Sequence, residues 1–147
     1  MYKDLKSTII VGSSGSGKTY LISKFIKKLI EENKNQVYLV DPKCVELFQF
    51  KNEEKVVYIN SVDDIEEKMI SPIKENNSNE TVYVFIDEYA EVKFNEKIHK
   101  QIKQLIKDRK KYNVELILTS QIRGAFCQGM RMNMDTILFL NSIKVGL

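Results

Sequence analysis

The sequence predicts an α/β fold, a three-layer sandwich with a mainly parallel central sheet covered by helices on both faces. Three observations predict it. Short β-branched runs alternate with longer amphipathic stretches along the 147 residues, the pattern of strands joined by crossover helices. The run at 81–87 is the most hydrophobic of them and belongs at the centre of the sheet. No internal repeat or low-complexity linker interrupts the pattern, so residues 1–147 read as one domain.

The first strand is expected over 7–12. A helix follows over 18–33, with Leu21, Ile22, Phe25, Ile26, Leu29 and Ile30 on one face and Lys24, Lys27 and Lys28 largely opposite. Val37–Val40 is the second strand, ended by Pro42, and Val56–Ile59 is a short extra strand. Ser61 opens a helix over 62–74, and 76–79 is a polar loop. After the central strand, a helix over about 95–111 leads to the strand Val114–Ser120. A turn or short helix over 124–134 and a last strand, Thr136–Leu140, complete the pattern.

Composition adds limits. With 43% hydrophobic and 29% charged residues, a chain near 150 residues buries roughly 70% of its unfolded surface, enough for a core without disulfides or structural metals. Cys44 and Cys127 stand far apart without paired spacing, so both read as reduced thiols and a reducing cytosol is the expected compartment. The longest apolar runs fall far short of a membrane span and no signal peptide precedes the first motif. The net charge of +3 includes only three arginines, Arg109, Arg123 and Arg131, and does not by itself argue for nucleic acid.

The strongest motif is Gly12-Ser13-Ser14-Gly15-Ser16-Gly17-Lys18-Thr19, which fits the phosphate-binding loop at every fixed position. A strand precedes it and an amphipathic helix follows. The loop's backbone N–H groups then meet phosphates at a helix N-terminus, where the dipole favours negative charge. Lys18 would reach the β- and γ-phosphates of ATP, and Thr19 would offer its hydroxyl to Mg2+. The second motif is the apolar strand ending in Asp87-Glu88. Asp87 is the expected magnesium partner, and Glu88 would orient the attacking water or take its proton. The third is Thr119-Ser120-Gln121 at the end of a strand expected between the other two. There Gln121 is either a sensor of the γ-phosphate or a solvated loop residue. The fold class is therefore that of a RecA-like P-loop NTPase.

Together with Val40-Asp41-Pro42-Lys43-Cys44-Val45-Glu46-Leu47, these segments resemble the motor domain of the FtsK/SpoIIIE translocases in the HerA/FtsK superfamily, over nearly the whole chain. The Asp-Pro-Lys-x-x-Glu-Leu segment discriminates, and the stretch 129–133 is similar to that family's Gly-x-x-Lys-Ala-Asn, one residue shorter. The resemblance implies a homo-oligomer, a hexameric ring, that pumps double-stranded DNA at the expense of ATP. It also implies an arginine supplied in trans, for which Arg123 and Arg131 are the candidates in this chain. Departures are visible: Lys107-Asp108-Arg109-Lys110 stands where the family has Arg-x-Gly-Arg, and the sequence ends at Leu147 where the family's core continues. No membrane anchor or DNA-reading end domain is present in these 147 residues.

Two features stay open at this stage. Lys100, Lys103, Lys107 and Lys110 recur at helical spacing and form either a solvated face or a contact for DNA phosphates. His99 receives no role. The functions compatible with the sequence are a DNA translocase or packaging ATPase, a protein-secretion motor of the same superfamily, and a slow ATP-dependent assembly switch.

Overall fold

The computed structural model describes residues 6–13 and 15–140. Ser14, within the phosphate loop, and the end of the chain at Leu147 lie outside the described residues. Six parallel strands form one sheet, β1 (Thr8–Gly12), β2 (Val37–Val40), β3 (Val56–Ile59), β4 (Val82–Ile86), β5 (Val114–Ser120) and β6 (Thr136–Leu140), in the order β3-β2-β4-β5-β1-β6. All five pairings are parallel. The expected mainly parallel sheet is thus wholly parallel among the described residues, and β5 lies between β1 and β4 as the sequence predicted.

A parallel sheet must be covered on both faces, and two apolar clusters do this. On one face, α1 (Lys18–Glu32) buries Ile22, Ile26 and Leu29 against Ile10, Leu39, Phe85 and Ile117. The helix ends where Asn33 adopts a left-handed φ of 49° and its N–H returns to the Leu29 carbonyl. The other face is covered mainly by α4 (Glu96–Lys107), whose Ile98, Ile102, Leu105 and Ile106 are buried with Val84, Leu116 and Leu118. Asn95 caps α4, its side chain accepting from the Ile98 N–H at 3.1 Å.

The helices depart from expectation in three places. The segment expected as one helix over 62–74 is a 3-10 turn (Val62–Asp64), a π turn (Glu66–Ile70) and α2 (Ser71–Glu75). Pro72 has no N–H to give to the ladder, and just before it the Ser71 N–H closes on the Glu66 carbonyl, five residues back. The helix expected over 95–111 breaks at Asp108 into α4 and α5 (Arg109–Tyr112). Asp108 leaves helical geometry, with a φ of −95° and a ψ of 9°, while its N–H still bonds the Gln104 carbonyl and its side chain accepts from the Gln104 amide. A short helix, α3 (Tyr89–Lys93), follows β4 without having been anticipated. Over 124–134 the expected short helix is α6 (Gln128–Met132).

The break at Asp108 aims Arg109 at the amino-terminal edge of the sheet. Its guanidinium pairs with Glu115 at 3.3 Å and Asp135 at 3.0 Å and donates to the Asn133 carbonyl. Glu115 also accepts from the Ser7 N–H and hydroxyl at 3.0 and 2.6 Å, and the same hydroxyl accepts from the Leu116 N–H. Arg109 thus ties the starts of β1, β5 and β6 together, and its side chain is only 11% exposed. Removing one member of a largely buried charged network leaves the others uncompensated. Arg109→Ala is expected to lower the unfolding free energy by about 2 kcal/mol. A urea titration showing a loss under about 0.5 kcal/mol would contradict this role.

Candidate active site

Parallel strands deliver their following loops to one edge, where open α/β sheets bind ligands. The carboxyl ends of β1, β4 and β5 are adjacent in the sheet order, so the phosphate loop, Asp87-Glu88 and Thr119-Gln121 converge. The loop is built for close approach. Gly15 and Gly17 have φ of 81° and 96°, and Gly17 leads directly into α1. At Gly12 a Cβ would strike the Ser16 hydroxyl and lie 3.0 Å from the Leu140 carbonyl.

Two adjoining hollows of about 300 and 120 Å3 open at this edge and share Lys18, Thr19, Glu46 and Gln121. The larger adds Ser13, Gly15, Gly17 and Tyr20, and the smaller adds Lys43, Val45, Asp87 and Glu88. Of the sequence-predicted phosphate-loop and carboxylate residues, Ser13, Gly15, Gly17, Lys18, Thr19, Asp87 and Glu88 line these hollows, and Gly12 and Ser16 do not. Lys18 is 8% exposed and forms no ion pair among the described residues. The Ser16 hydroxyl is buried without a hydrogen-bond partner among the described residues. A buried ammonium and an orphaned hydroxyl under a cradle of N–H groups fit a phosphate chain. The oxygen donors beside them, the Thr19 hydroxyl and the Asp87 carboxylate, are of the hard type that suits Mg2+.

The carboxylates differ in surroundings. Asp87 accepts the Thr119 hydroxyl at 2.9 Å on Oδ1, while Oδ2 has no hydrogen-bond partner among the described residues. Burial is the main cause pushing the Asp87 carboxyl above the usual range, with Asp41 and Glu46 adding to it and Thr119 and Lys18 opposing. Glu88 has both oxygens engaged: Oε2 accepts the Ser120 hydroxyl at 2.6 Å and Oε1 the Gln121 N–H at 3.0 Å. Its backbone holds a φ of 54°, the left-handed region, and its N–H bonds Thr119 Oγ1 at 3.2 Å.

The Asp-Pro-Lys segment has a structural task. Asp41 is fully buried, and its Oδ2 accepts from the Leu47 N–H at 3.1 Å and the Tyr58 hydroxyl at 2.8 Å. These bonds fold residues 41–47 back so that Glu46 lines both hollows. Arg123 stands exposed just past β5, its guanidinium 4.8 Å from the Phe139 ring at the carboxyl end of β6. Arg131 lies in the last turn of α6, four residues before Asp135, whose N–H bonds Ser7 at the opposite edge. Of the two candidate arginines, only Arg123 is placed at the edge that carries the site.

A family model for the AAA domain matches residues 4–124. The chain belongs to the AAA domain family. It is an ATPase domain of the P-loop superfamily. No curated protein matches the chain. Among solved structures, this AAA domain is similar to EssC (ATPases 2 and 3) from Geobacillus thermodenitrificans, with 15% identity, a TM-score of 0.77, and 95% of this chain and 32% of that one covered. It is similar to the pCW3 conjugation coupling protein TcpA in its monomer form with ATPγS, at 20% identity and a TM-score of 0.70 over 87% of this chain and 47% of that one. The genome packaging NTPase B204 of Sulfolobus turreted icosahedral virus 2, in complex with AMP, gives 20% identity and a TM-score of 0.69 over 91% and 74%. At such identities the likeness is one of fold. The chain spans 25% to 34% of the first EccC and EssC chains it matches.

Sequence reasoning missed Tyr20 and Glu46 in the cavity and gave His99 no part. In this AAA domain Tyr89, next after Glu88, is fully buried, stacks on Phe126 at 5.6 Å and bonds His99 Nδ1 through its hydroxyl at 2.7 Å. Only the apolar flank of the Asp-Glu pair hinted at this support. Burial lowers the His99 pKa, and Lys103 and Lys93 lower it further; Glu96, Lys97 and Lys100 are also beside it. Because the folded imidazole binds its proton less readily than the unfolded one, stability falls as the pH drops from above 6.5 toward the lowered midpoint. An NMR titration of the chain's one histidine is expected to give a midpoint below 6.5, moved upward by Lys103→Ala. A midpoint at or above 6.5 would exclude this environment.

Proposed function

We propose that this AAA domain is a magnesium-dependent, ATP-hydrolysing motor that moves or packages double-stranded DNA as a ring-shaped oligomer, a hexamer. The observation that carries the reading is the single edge at which Lys18, Thr19, Asp87, Glu88 and Gln121 surround one hollow. The loop's N–H groups and Lys18 hold the β- and γ-phosphates in place. Magnesium, held by the Thr19 hydroxyl and Asp87, supplies neutralisation of the phosphate oxygens when bound. Gln121 extends from the end of β5 to report the γ-phosphate. Glu88 takes the proton of the attacking water on a lone pair left free by its bonds to Ser120 and the Gln121 N–H, which fix the carboxylate in place. Hydrolysis is slow in the isolated subunit, which lacks an arginine supplied in trans.

Assembly and cargo rest on further features. Val45, Ile122 and Phe139 are 67%, 57% and 52% exposed around the site edge, an apolar border suited to a neighbouring copy. Arg123 stands on that border and is the arginine we assign to the neighbour's γ-phosphate. Lys100, Lys103 and Lys107 form no ion pair among the described residues and border a groove of about 430 Å3 between α4 and α6, where phosphates of a duplex find sequence-independent positive charge. The coupling protein and packaging NTPase among the neighbours agree with a DNA cargo. A further neighbour, the Type VII secretion ATPase EccC of Thermomonospora curvata, favours a second reading, a motor for protein substrates.

Lys18→Ala is expected to abolish tight ATP binding. Glu88→Gln should keep binding and lower hydrolysis by about a hundredfold or more; turnover equal to the parent's would remove Glu88 from its role. ATPase rate per subunit should rise with protein concentration and again with duplex DNA, the DNA effect fading at high salt, since a trans arginine contributes about 10³ to 10⁵ in rate. A rate indifferent to both would overturn the motor and leave the assembly switch.

A further inference from the structure

Tyr20 is the third residue of α1. Side chains on a helix tilt toward its N-terminus, and this ring accordingly borders the larger hollow beside Gly17, Lys18 and Thr19. It is 70% exposed, on the face of α1 opposite the buried Ile22 and Ile26, which lie two and six residues further on. One turn on, the Lys24 ammonium stands 5.4 Å from the ring centroid, covering one side of the ring by a cation–π contact. The ring's high exposure leaves its remaining surface open to solvent at the border of the hollow. A triphosphate anchored by the loop and Lys18 leads outward past this first turn, so its nucleoside end has to emerge next to Tyr20.

We infer that Tyr20 is the platform on which the nucleotide base stacks, with Lys24 holding the ring from behind. The inference rests on the phosphate-loop reading above. Stacking engages the flat face that every base has and leaves its hydrogen-bonding edge unread. Adenine and guanine nucleotides are therefore held alike by this contact, and the phosphates supply the remaining affinity. The ring's hydroxyl takes no part, so phenylalanine serves equally well.

Calorimetric titration of the full chain with ATP, GTP and inorganic tripolyphosphate, each with magnesium, tests the assignment. Tyr20→Ala is expected to weaken ATP and GTP roughly 5- to 150-fold, the range for loss of one base–aromatic stack, and to leave tripolyphosphate within about twofold. Tyr20→Phe should match the parent for all three. The residue's exposure makes a folding defect an unsuitable explanation for any loss, and a tripolyphosphate affinity unchanged by Tyr20→Ala checks that directly. If the parent binds tripolyphosphate but Tyr20→Ala leaves ATP affinity intact, or weakens only one of the two nucleotides, the stacking role is wrong while the phosphate loop stands. If the parent does not bind tripolyphosphate, the phosphate-loop reading fails and the platform with it.

Discussion

The hydroxyl of Thr119 joins β4 to β5 at the point where both strands end. It is fully buried, donates to Asp87 Oδ1 and accepts from the Glu88 N–H. A buried hydroxyl that satisfies both neighbours has no alternative partner in water, so its geometry is fixed. That geometry decides the site. It turns one Asp87 oxygen inward, leaving the other for the cavity, and it holds Glu88 in a left-handed conformation that a non-glycine residue adopts at a cost of about 1–3 kcal/mol. The Ser120 hydroxyl then captures the Glu88 carboxylate and receives the Ile122 N–H at 3.0 Å. Three consecutive residues of β5 and its exit thus specify the two residues that follow β4.

The register of the sheet makes this possible. Ile86 lies opposite Leu118, and Ile10 and Val11 lie opposite Thr119 and Ser120. The phosphate loop therefore leaves β1 at the level where β5 turns polar. At the other edge, Arg109, Glu115, Ser7 and Asp135 hold the starts of β1, β5 and β6. The sheet is clasped by polar networks at both ends and is apolar between them, so the strand ends keep their relative heights.

What the sequence made legible followed from local chemistry. The phosphate loop, the strand ending in Asp87-Glu88 and the placement of β5 were readable because glycine spacing and strand periodicity are local properties. The strands Val37–Val40, Val56–Ile59, Val114–Ser120 and Thr136–Leu140 matched to the residue for the same reason. What was not legible depends on contacts between distant residues. Nothing near Glu88 announces that Ser120 and Gln121, more than thirty positions away, occupy its carboxylate. Arg109 read as a rough substitute for a family arginine, yet its partners lie at 115, 133 and 135. The split at Asp108 that redirects it was hidden because Lys103, Lys107 and Lys110 continue across it at helical spacing.

Charge accounting around the cavity points beyond a single chain. The smaller hollow is lined by Lys18 and Lys43 against Glu46, Asp87 and Glu88, two positive groups against three negative ones, with Asp41 close enough to push the Asp87 carboxyl upward. A triphosphate adds several more negative charges to a region where burial weakens screening. The loop's N–H dipoles offset part of this, and a bound divalent cation, the largest local charge in such a site, offsets more. Arg109 is committed to the far edge and Arg123 of the same chain leans on Phe139. On the proposed reading, the missing positive charge comes from a second copy.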